Sequence, residues 1–283
     1  MIDLHVHSTH SDGTFTPAEL AEHAISQHLS SFALTDHDTV SGLSEAFESV
    51  RDLPVEVISG IELSTEYQGK DVHIVGLDFD WHDLHFCSEL TRFQDSRNER
   101  NRKMTEKLAA KGIAVSMEQL KTQFGDAVLT RAHFARFLYE HGYVSSMREA
   151  FSRYLGDHAP CFVPREKVTP QMAVRLIHQT GGIAVLAHPM QYHFSDAQLK
   201  DLIRDLKSEG LNGIEAMYST HTPSQEKKIR HLAQTMGIAI SGGSDFHGTN
   251  KPDIDLGVGR GNLHIPDSAL ENLRKHRDRN KTA

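Results

Sequence analysis

The sequence of 283 residues predicts an α/β fold, a complete or distorted barrel of about six or seven βα units. Segments with the pattern of buried strands alternate with amphipathic helical segments over residues 1–82 and again over residues 164–283. Residues 83–163 between them are polar and helical in pattern. We therefore expect a barrel formed by 1–82 and 164–283, with 83–163 as a helical insertion that caps its mouth.

The N-terminal part begins with a strand. Residues 2–7 alternate with the period of a strand, which places His5 and His7 on the same face. A helix to about residue 28 follows, because Thr16-Pro17-Ala18-Glu19 supplies a capping threonine, a proline at the first helical position and an acidic third residue. The next predicted elements are strands at 31–35, 55–62 and 72–78 and a helix at 40–51.

The insertion and the C-terminal part follow different patterns. Four or five helices fit residues 83–163, and the charged run from Arg97 to Lys103 is typical of a solvated helix face. Alternation then resumes with three helices, each leading into a strand-like segment, and ends with a helix from about residue 267. The helices are expected at 170–179, 196–208 and 222–236, and the segments at 182–189, 213–217 and 238–247.

Composition excludes several classes of protein. The net charge of −8 disfavours stable binding of duplex nucleic acid through bulk positive charge. No apolar run is long enough to span a bilayer, and no secretory signal is visible, so we expect a cytoplasmic protein without a membrane partner. Cys87 and Cys161 are too few for a disulfide framework, although one bridge between them stays open. The sequence contains no indication of whether the protein is a monomer or an oligomer.

Histidine is unusually frequent, with 20 in the chain. Residues that can ligate metals fall at or near the ends of the predicted strands: His5, His7, Asp12, His37, Glu62, His73, His188, Asp245 and His247. Each of them alone could be an ordinary surface or strand-end residue. Because the carboxyl ends of parallel strands face a common mouth, we expect all of them to converge there.

So many ligands exceed what one ion takes, which is about four for zinc and about six for other first-row divalent ions. Two or three ions are therefore expected, bridged by Glu62, Asp245 or both. Imidazole and carboxylate ligands without thiolate suit Mn²⁺, Fe²⁺ or Zn²⁺. Ions arranged in this way lower the pKa of a bridging water and stabilise charge on a phosphoryl group.

Several motifs resemble, in order, those of the polymerase and histidinol phosphatase (PHP) family. They are Asp3-Leu4-His5-Val6-His7-Ser8 with Ser11-Asp12-Gly13, Ala33-Leu34-Thr35-Asp36-His37-Asp38, Gly60-Ile61-Glu62, Ala187-His188-Pro189 and Gly243-Ser244-Asp245-Phe246-His247. The chain is most similar to the stand-alone branch with 3′,5′-nucleoside bisphosphate phosphatases and a bacterial 5′-to-3′ exoribonuclease. The resemblance implies a distorted (β/α)₇ barrel, a cap and a site for three metal ions, with manganese the first choice.

These observations predict a metal-dependent phosphoesterase in which a hydroxide bridging two ions attacks phosphorus in line. His221 is a candidate acid for the leaving group, or else a surface histidine. Arg131, His133 and Arg165 are candidates to bind a second phosphate, or else ordinary surface residues. The expected substrate is a 3′,5′-nucleoside bisphosphate, or the 5′ end of a short RNA.

The sequence leaves two other functions open. One is hydrolysis of a small metabolite such as histidinol phosphate, and the other is a metal-binding regulatory module without turnover. The candidate cap favours a nucleotide, and the complete ligand set favours an enzyme. Asp36 and Asp38 flank His37 and could orient its ring, while Asp38 could instead cap the following helix.

Overall fold

The computed structural model describes residues 1–164 and 168–281, which contain one seven-stranded sheet whose strand order follows the chain. The strands are β1 (Ile2–Val6), β2 (Ser31–Leu34), β3 (Glu56–Tyr67), β4 (Lys70–Leu77), β5 (Ile183–Leu186), β6 (Gly213–Tyr218) and β7 (Ala239–Gly243). Val6 at the end of β1 forms a parallel bridge to Phe246, just after β7. The sheet is therefore a nearly closed barrel, which confirms the predicted α/β class.

One strand departs from the predicted βα pattern. β4 is antiparallel to both β3 and β5, whereas the other neighbouring strands are parallel. β3 and β4 are joined by Gln68 and Gly69, which both have positive φ, and a loop of this length can only form a hairpin. Glu62 pairs with Val75 in the middle of this hairpin, so the prediction that Glu62 ends its strand was wrong.

The α-helices in chain order are α1 (Pro17–Ser26), α2 (Leu43–Ser49), α3 (Leu84–Ala109), α4 (Met117–Phe124), α5 (Arg131–Glu140), α6 (Met147–Ala150), α7 (Pro170–Gln179), α8 (Asp196–Ser208), α9 (Pro223–Met236) and α10 (Ser268–Lys281). The capping box predicted at Thr16 and Glu19 is present at α1. α2 begins three residues later than predicted, because the Thr39 hydroxyl accepts a hydrogen bond from the Ser41 N–H in a turn before it.

A hydrophobic cluster fills the end of the barrel where the parallel strands begin. Every strand contributes to it, with Ile2, Ala33 and Ile58 among the members, and Leu270 and Leu273 of α10 pack against them. Burial of this cluster stabilises the barrel and leaves only its opposite end available for polar side chains.

The segment 83–163 has a hydrophobic cluster of its own. Leu108, Phe134 and Leu155 belong to it, whereas Phe86 and Phe93 in the first half of α3 pack against the barrel. α3 is therefore shared between the two clusters, and the domain boundary at residue 83 stays a prediction. No helix in the described ranges is long and apolar enough to cross a bilayer. Cys87 and Cys161 are both free thiols.

Candidate metal centre

The predicted ligands all lie at the carboxyl end of the parallel strands, in four overlapping groups. Within each group the candidate donor atoms lie within 4.8 Å of one another. The groups are His7, Asp12, His37 and His247; His5, His7 and Asp245; His5, Glu62 and His188; and His37, Glu62 and His73. All of these residues are buried except His73, which is partly buried.

Glu62 is at the centre of the groups, because each of its carboxylate oxygens faces more than one imidazole. Oε1 lies 2.9 Å from both His73 Nδ1 and His188 Nε2. Oε2 lies within 3.3 Å of a ring nitrogen of each of three further histidines, His5, His7 and His37. A carboxylate surrounded in this way has the arrangement expected of a ligand that bridges ions.

Asp245 presents its two oxygens to different surroundings. Oδ1 lies 3.4 Å from His7 Nε2 and 3.3 Å from His247 Nδ1. Oδ2 accepts hydrogen bonds from the Tyr218 hydroxyl at 2.5 Å and from Lys251 Nζ at 2.6 Å. One oxygen thus faces the candidate ligands while the other is held by two donors.

Asp12 connects the ligands to the segment 83–163. Its Oδ1 lies 3.2 Å from His247 Nε2, and its Oδ2 accepts a hydrogen bond from the Thr130 hydroxyl at 2.8 Å. Thr130 is the N-cap of α5. The start of this helix therefore touches a candidate ligand directly.

Three residues at strand ends around the site have positive φ although they are not glycine: Asp38 at 51°, His188 at 23° and Asp245 at 58°. Such backbone conformations are strained and need support from the surrounding structure. Each backbone N–H donates to a group in the site, Asp38 to the Glu62 carbonyl (3.0 Å), His188 to the Glu215 carboxylate (2.7 Å) and Asp245 to the His5 carbonyl (2.9 Å). The sharp turns direct the side chains into the mouth.

The electrostatics of the site favour ionised carboxylates. Burial alone would raise the pKa of Glu62, but His73 and His37 hold it well below its ordinary value. Burial alone would lower the pKa of His7, but its interactions with Asp245 and Glu62 raise it to about 9. Buried carboxylates in these surroundings attract cations, whether a proton on an imidazole or a metal ion.

Buried ring nitrogens that lack a hydrogen bond also indicate that the candidate ligands fit divalent ions. His5 Nε2, His7 Nε2 and His188 Nδ1 are buried and form no hydrogen bond of acceptable geometry. The first two lie 3.3 Å from Glu62 Oε2. A buried polar atom left in this state costs about 1–3 kcal/mol, and an ion between nitrogen and oxygen would relieve the cost at His5 and His7. The imidazole and carboxylate donors suit first-row divalent metals.

Glu215 supports two of the candidate ligands and was missed by sequence reasoning. Its Oε1 accepts from His5 Nδ1 at 3.1 Å, and its Oε2 accepts from the His188 N–H at 2.7 Å. The first bond fixes the ring of His5 so that Nε2 faces Glu62. A signal was present, since Glu215 is an acidic residue inside an otherwise apolar buried strand.

The two acidic residues beside His37 form other contacts. Asp36 accepts hydrogen bonds from the Ser8 N–H at 2.8 Å and the Ser11 hydroxyl at 2.6 Å, and so holds the loop that carries Asp12. Asp38 forms an ion pair with Arg97 at 2.6 Å. The alternative that Asp38 caps α2 was wrong, because the N-cap of α2 is Gly42.

A cavity of about 310 Å³ opens between the candidate ligands and the segment 83–163. One side is lined by Asp12, His37, His73 and His247. The other side includes Arg97, Arg100, Thr130 and Arg131. Anything bound in this cavity would touch the candidate metal ligands and the arginines together.

The predicted solvated face of α3 was wrong at three positions, because Arg97, Arg100 and Asn101 are buried. Arg97 and Arg100 are each only 3% exposed and line the cavity. They continue the buried stripe of α3, because Phe93, Arg97, Arg100 and Met104 follow one another at spacings of three and four residues. An arginine where the helical period requires an apolar residue is a signal that sequence reasoning could have used.

The remaining predicted site residues have different placements. Arg131 lines the cavity and pairs with Asp71 at 2.6 Å. His133 caps α5, since its Nδ1 accepts from the Thr130 N–H at 2.9 Å, and burial lowers its pKa to about 4. This placement does not support a contact between His133 and the substrate. Arg165 lies outside the described residues.

His221 is buried, and its Nδ1 lies 2.9 Å from the Ala216 carbonyl oxygen. Among the described residues it belongs neither to the four donor groups nor to the lining of the mouth cavity. Its role as the leaving-group acid stays a prediction. Lys251 was not predicted, yet it lines the cavity and contacts Asp245.

Comparison with known proteins identifies the class to which this site belongs. A solved protein from Bifidobacterium adolescentis, assigned as a metal-dependent phosphoesterase, superposes with a TM-score of 0.84 and 26% identity over 97% of this chain and 96% of that one. The chain is 38% identical over 245 residues to a 5′-3′ exoribonuclease of Haemophilus influenzae, covering 87% of this chain and 89% of the relative. These similarities assign the chain to the metal-dependent phosphoesterases.

A second curated relative acts on a nucleotide. The chain is 35% identical over 257 residues to a 3′,5′-nucleoside bisphosphate phosphatase of Chromobacterium violaceum, covering 90% of each. The sequence model of the PHP domain matches residues 3–159. The chain therefore belongs to the PHP family, as the motifs around His5, His37 and His188 predicted.

Proposed function

We propose that this enzyme hydrolyses the 3′-phosphate of 3′,5′-nucleoside bisphosphates and releases 5′-nucleotides from the 5′ ends of short RNAs. The observation that carries the proposal is Glu62, whose two oxygens face five imidazoles. Two of these imidazoles, those of His37 and His73, line a cavity whose other side is lined by arginines. The predicted ligands would hold two or three divalent ions, with manganese the first choice.

Ions bound there supply Lewis-acid stabilisation of the phosphoryl oxygens and an acidified water for attack. The protein's own groups set the conditions for this chemistry. Glu215 orients the imidazole of His5, and Tyr218 and Lys251 hold the second oxygen of Asp245. Lys251 also lines the mouth, where its positive charge would favour a bound phosphate.

The cavity supports a nucleotide as the substrate. Its volume of about 310 Å³ is at the lower end of the range for small-ligand sites. The cations that line it would favour a ligand with a phosphate beyond the one that reacts. Since the chain carries a net charge of −8, binding of a long nucleic acid would have to depend on such local cations.

Both proposed activities would use the same bond. In a 3′,5′-bisphosphate the 3′-phosphate is a monoester, and in RNA the same phosphate is joined to the next nucleotide as a diester. Hydrolysis at the 3′ oxygen removes inorganic phosphate in the first case and releases one 5′-nucleotide in the second. The names of the two curated relatives, an exoribonuclease and a bisphosphate phosphatase, favour this pairing.

The proposal is tested by offering three substrates to the purified chain with Mn²⁺. We expect release of phosphate from adenosine 3′,5′-bisphosphate and of nucleotides from a 5′-monophosphorylated RNA oligomer, with little hydrolysis of histidinol phosphate. EDTA should abolish both activities. Faster hydrolysis of histidinol phosphate than of either nucleotide would assign the enzyme to small metabolites, and no release from any substrate would contradict the proposal.

A further inference from the structure

A second cavity, of about 560 Å³, lies between α9 and α10 and shares no lining residue with the mouth cavity. α7 packs against α8 and α8 against α9, but in the described ranges no comparable contact joins α9 to α10. α9 packs on β6 and α10 packs on β7, so a groove is left between the two helices. We call this cavity the α9–α10 groove. Its volume falls within the range of about 300–1,000 Å³ for small-ligand sites.

The charged side chains that line the α9–α10 groove are all basic. Arg230 of α9 and Lys275 of α10 line it together with the imidazoles of His264 and His276, and its described lining includes no aspartate or glutamate. This composition is unexpected in a chain with 38 acidic residues and 30 lysines and arginines. A cleft lined by one sign of charge concentrates its field and attracts ligands of the opposite charge.

The protein itself compensates these cations only weakly. Arg230 pairs with Glu226 one turn earlier on the same helix at 2.7 Å, and both side chains are partly exposed, so the pair contributes little. Lys275 forms no ion pair or hydrogen bond within the described part of the chain. Asp267, just before α10, is bound instead to the N-terminal ammonium of Met1 at 2.9 Å. Arg230 and Lys275 are therefore available to a bound anion.

Apolar side chains form the base of the α9–α10 groove. Met217 of β6 and Ile240 of β7 line it, with Ile238 and Ala269 beside them. Contact with a planar or apolar group would remove the remaining exposed surface of these side chains from water, which favours binding. The groove therefore offers hydrogen-bond donors for an anion and an apolar surface for the group attached to it.

We propose that the α9–α10 groove binds a phosphate monoester that carries a planar group, namely a nucleoside 5′-monophosphate. A phosphate dianion accepts hydrogen bonds from a guanidinium, an ammonium and imidazoles together, and the base would cover Met217 and Ile240. The choice of a nucleotide rests on the proposed function, of which 5′-nucleotides are products, whereas the charge of the groove does not depend on it. The enzyme would thus bind its product at a site separate from the metal centre.

The first test measures binding of 5′-AMP to the Mn²⁺-loaded protein by calorimetry. Arg230→Gln combined with Lys275→Gln should weaken one binding site at least about tenfold, because two charged donors are lost. Adenosine, which lacks the phosphate, should bind equally to the wild type and to this double variant. Unchanged binding of 5′-AMP in the double variant would overturn the proposal.

A matched control removes two positive charges elsewhere. Lys200 of α8 and Lys227 of α9 are exposed and line neither cavity. Lys200→Gln combined with Lys227→Gln should leave the binding of 5′-AMP unchanged. An equal loss in this control would overturn the proposal, because it would show that only the net charge of the chain matters.

The second test locates the ligand on the wild-type protein and does not depend on the folding of a variant. Photolabelling with 8-azidoadenosine 5′-monophosphate should label peptides of α9 or α10, and 5′-AMP should protect them where adenosine does not. Labelling confined to peptides that line the mouth cavity would overturn the proposal. Better protection by a 5′-monophosphorylated RNA oligomer than by 5′-AMP would also overturn it, because the groove would then be an RNA-binding surface.

The two tests separate this inference from the proposed function. If the nucleotide labels the α9–α10 groove but the enzyme hydrolyses neither the bisphosphate nor RNA with Mn²⁺, the proposed reaction is wrong and the groove site stands. If both are hydrolysed and the groove is not labelled, the reaction stands and the groove site is wrong.

Discussion

At the scale of single residues, the candidate metal centre depends on two carboxylates that each contact several side chains. The oxygens of Glu62 face five imidazoles. One oxygen of Asp245 faces histidines, and the other accepts hydrogen bonds from Tyr218 and Lys251. Sharing of this kind gives each histidine a defined orientation before any ion binds, so little reorganisation is needed on metal binding.

Glu215→Ala should weaken metal binding without removing any candidate ligand. The variant frees the ring of His5 and removes the acceptor for the strained N–H of His188. We expect metal affinity to fall about 10- to 100-fold in titrations monitored by metal content, with activity partly restored at high Mn²⁺. Glu226→Ala is the control, because Glu226 is partly exposed on α9, where it pairs with Arg230, and it belongs to none of the four donor groups. Unchanged metal affinity in Glu215→Ala would contradict this role.

His133 should make the stability of the fold depend on pH. Burial lowers its pKa from 6.5 to about 4, so the unfolded chain binds this proton more readily than the folded one. The neutral ring's contribution is complete above about pH 6.5 and is lost as pH falls toward 4, with a loss of roughly 2 kcal/mol at pH 5. Protonation also removes the acceptor for the Thr130 N–H.

Urea unfolding at pH 7 and pH 5 checks this prediction. His133→Gln keeps a side chain that can accept the capping hydrogen bond but does not titrate. The wild type should lose more stability than His133→Gln between the two pH values. Identical pH dependence of the two proteins would contradict the prediction, because it would show that folding does not lower the pKa of His133.

At the scale of elements, α3 connects the barrel to the segment 83–163. The same face carries Phe86 and Phe93 against the barrel, then Arg97 and Arg100 over the cavity, then Met104 in the second cluster. Sequence reasoning placed the charged part of this helix in solvent because the run Arg97–Lys103 is polar on every side. Only the tertiary structure shows that Asp38 compensates Arg97.

Arg97→Met should destabilise the protein by about 3–5 kcal/mol, because it leaves the buried charge of Asp38 without its guanidinium. Combining it with Asp38→Asn should restore part of the loss. Arg102→Met, on the exposed side of α3, should change stability by no more than about 0.5 kcal/mol. Free energies of unfolding from urea titrations check these values. A loss in Arg97→Met no larger than in Arg102→Met would contradict the pairing.

Most elements could be predicted from the sequence, and the exceptions have physical causes. α7 and α8 have the predicted boundaries, because Thr169 and Ser195 cap them and their apolar residues follow the helical period. The antiparallel β4 was missed because alternation of apolar residues does not encode strand direction. The turn of Gln68 and Gly69 before it is too short for a parallel crossover.

The candidate site, like the fold, was predicted from the sequence only in part. The predicted ligands converge as expected, because metal-binding residue types at strand ends leave a pattern that local sequence preserves. Glu215, Lys251 and the arginines of α3 act through contacts between distant parts of the chain. The charged residues in the buried stripe of α3 and in β6 leave a signal of burial in the sequence, but the side chains that they contact can be identified only from the tertiary structure.

At the scale of the whole molecule, the barrel and the segment 83–163 meet around one cavity. Thr130 contacts Asp12, Arg97 contacts Asp38 and Arg131 contacts Asp71, so each contact across the mouth lies at or near a candidate ligand. This arrangement supports a different proposed role for each of the two parts. The barrel would supply the metal chemistry, and the segment 83–163, as the proposed cap, would select the phosphate ester.

Metal removal should lower the stability of the whole molecule. Ions that bind the folded but not the unfolded chain stabilise it by about 2.7 kcal/mol at a free concentration 100 times Kd. We expect Tm to rise as Mn²⁺ is added to chelated protein and to fall again with EDTA, with Ca²⁺ much less effective because it prefers more oxygen ligands. A Tm that does not respond to Mn²⁺ would contradict the presence of a metal centre.

Glu62→Gln removes the charge of the carboxylate that faces five imidazoles, and Glu56→Gln at the exposed start of the same strand is its control. Both variants are loaded with Mn²⁺, and their bound metal and their release of phosphate from adenosine 3′,5′-bisphosphate are measured together. We predict that Glu62→Gln loses bound metal and at least about 100-fold in kcat, while Glu56→Gln matches the wild type. Full metal content and full activity in folded Glu62→Gln would show that the Glu62 carboxylate does not hold the metal ions.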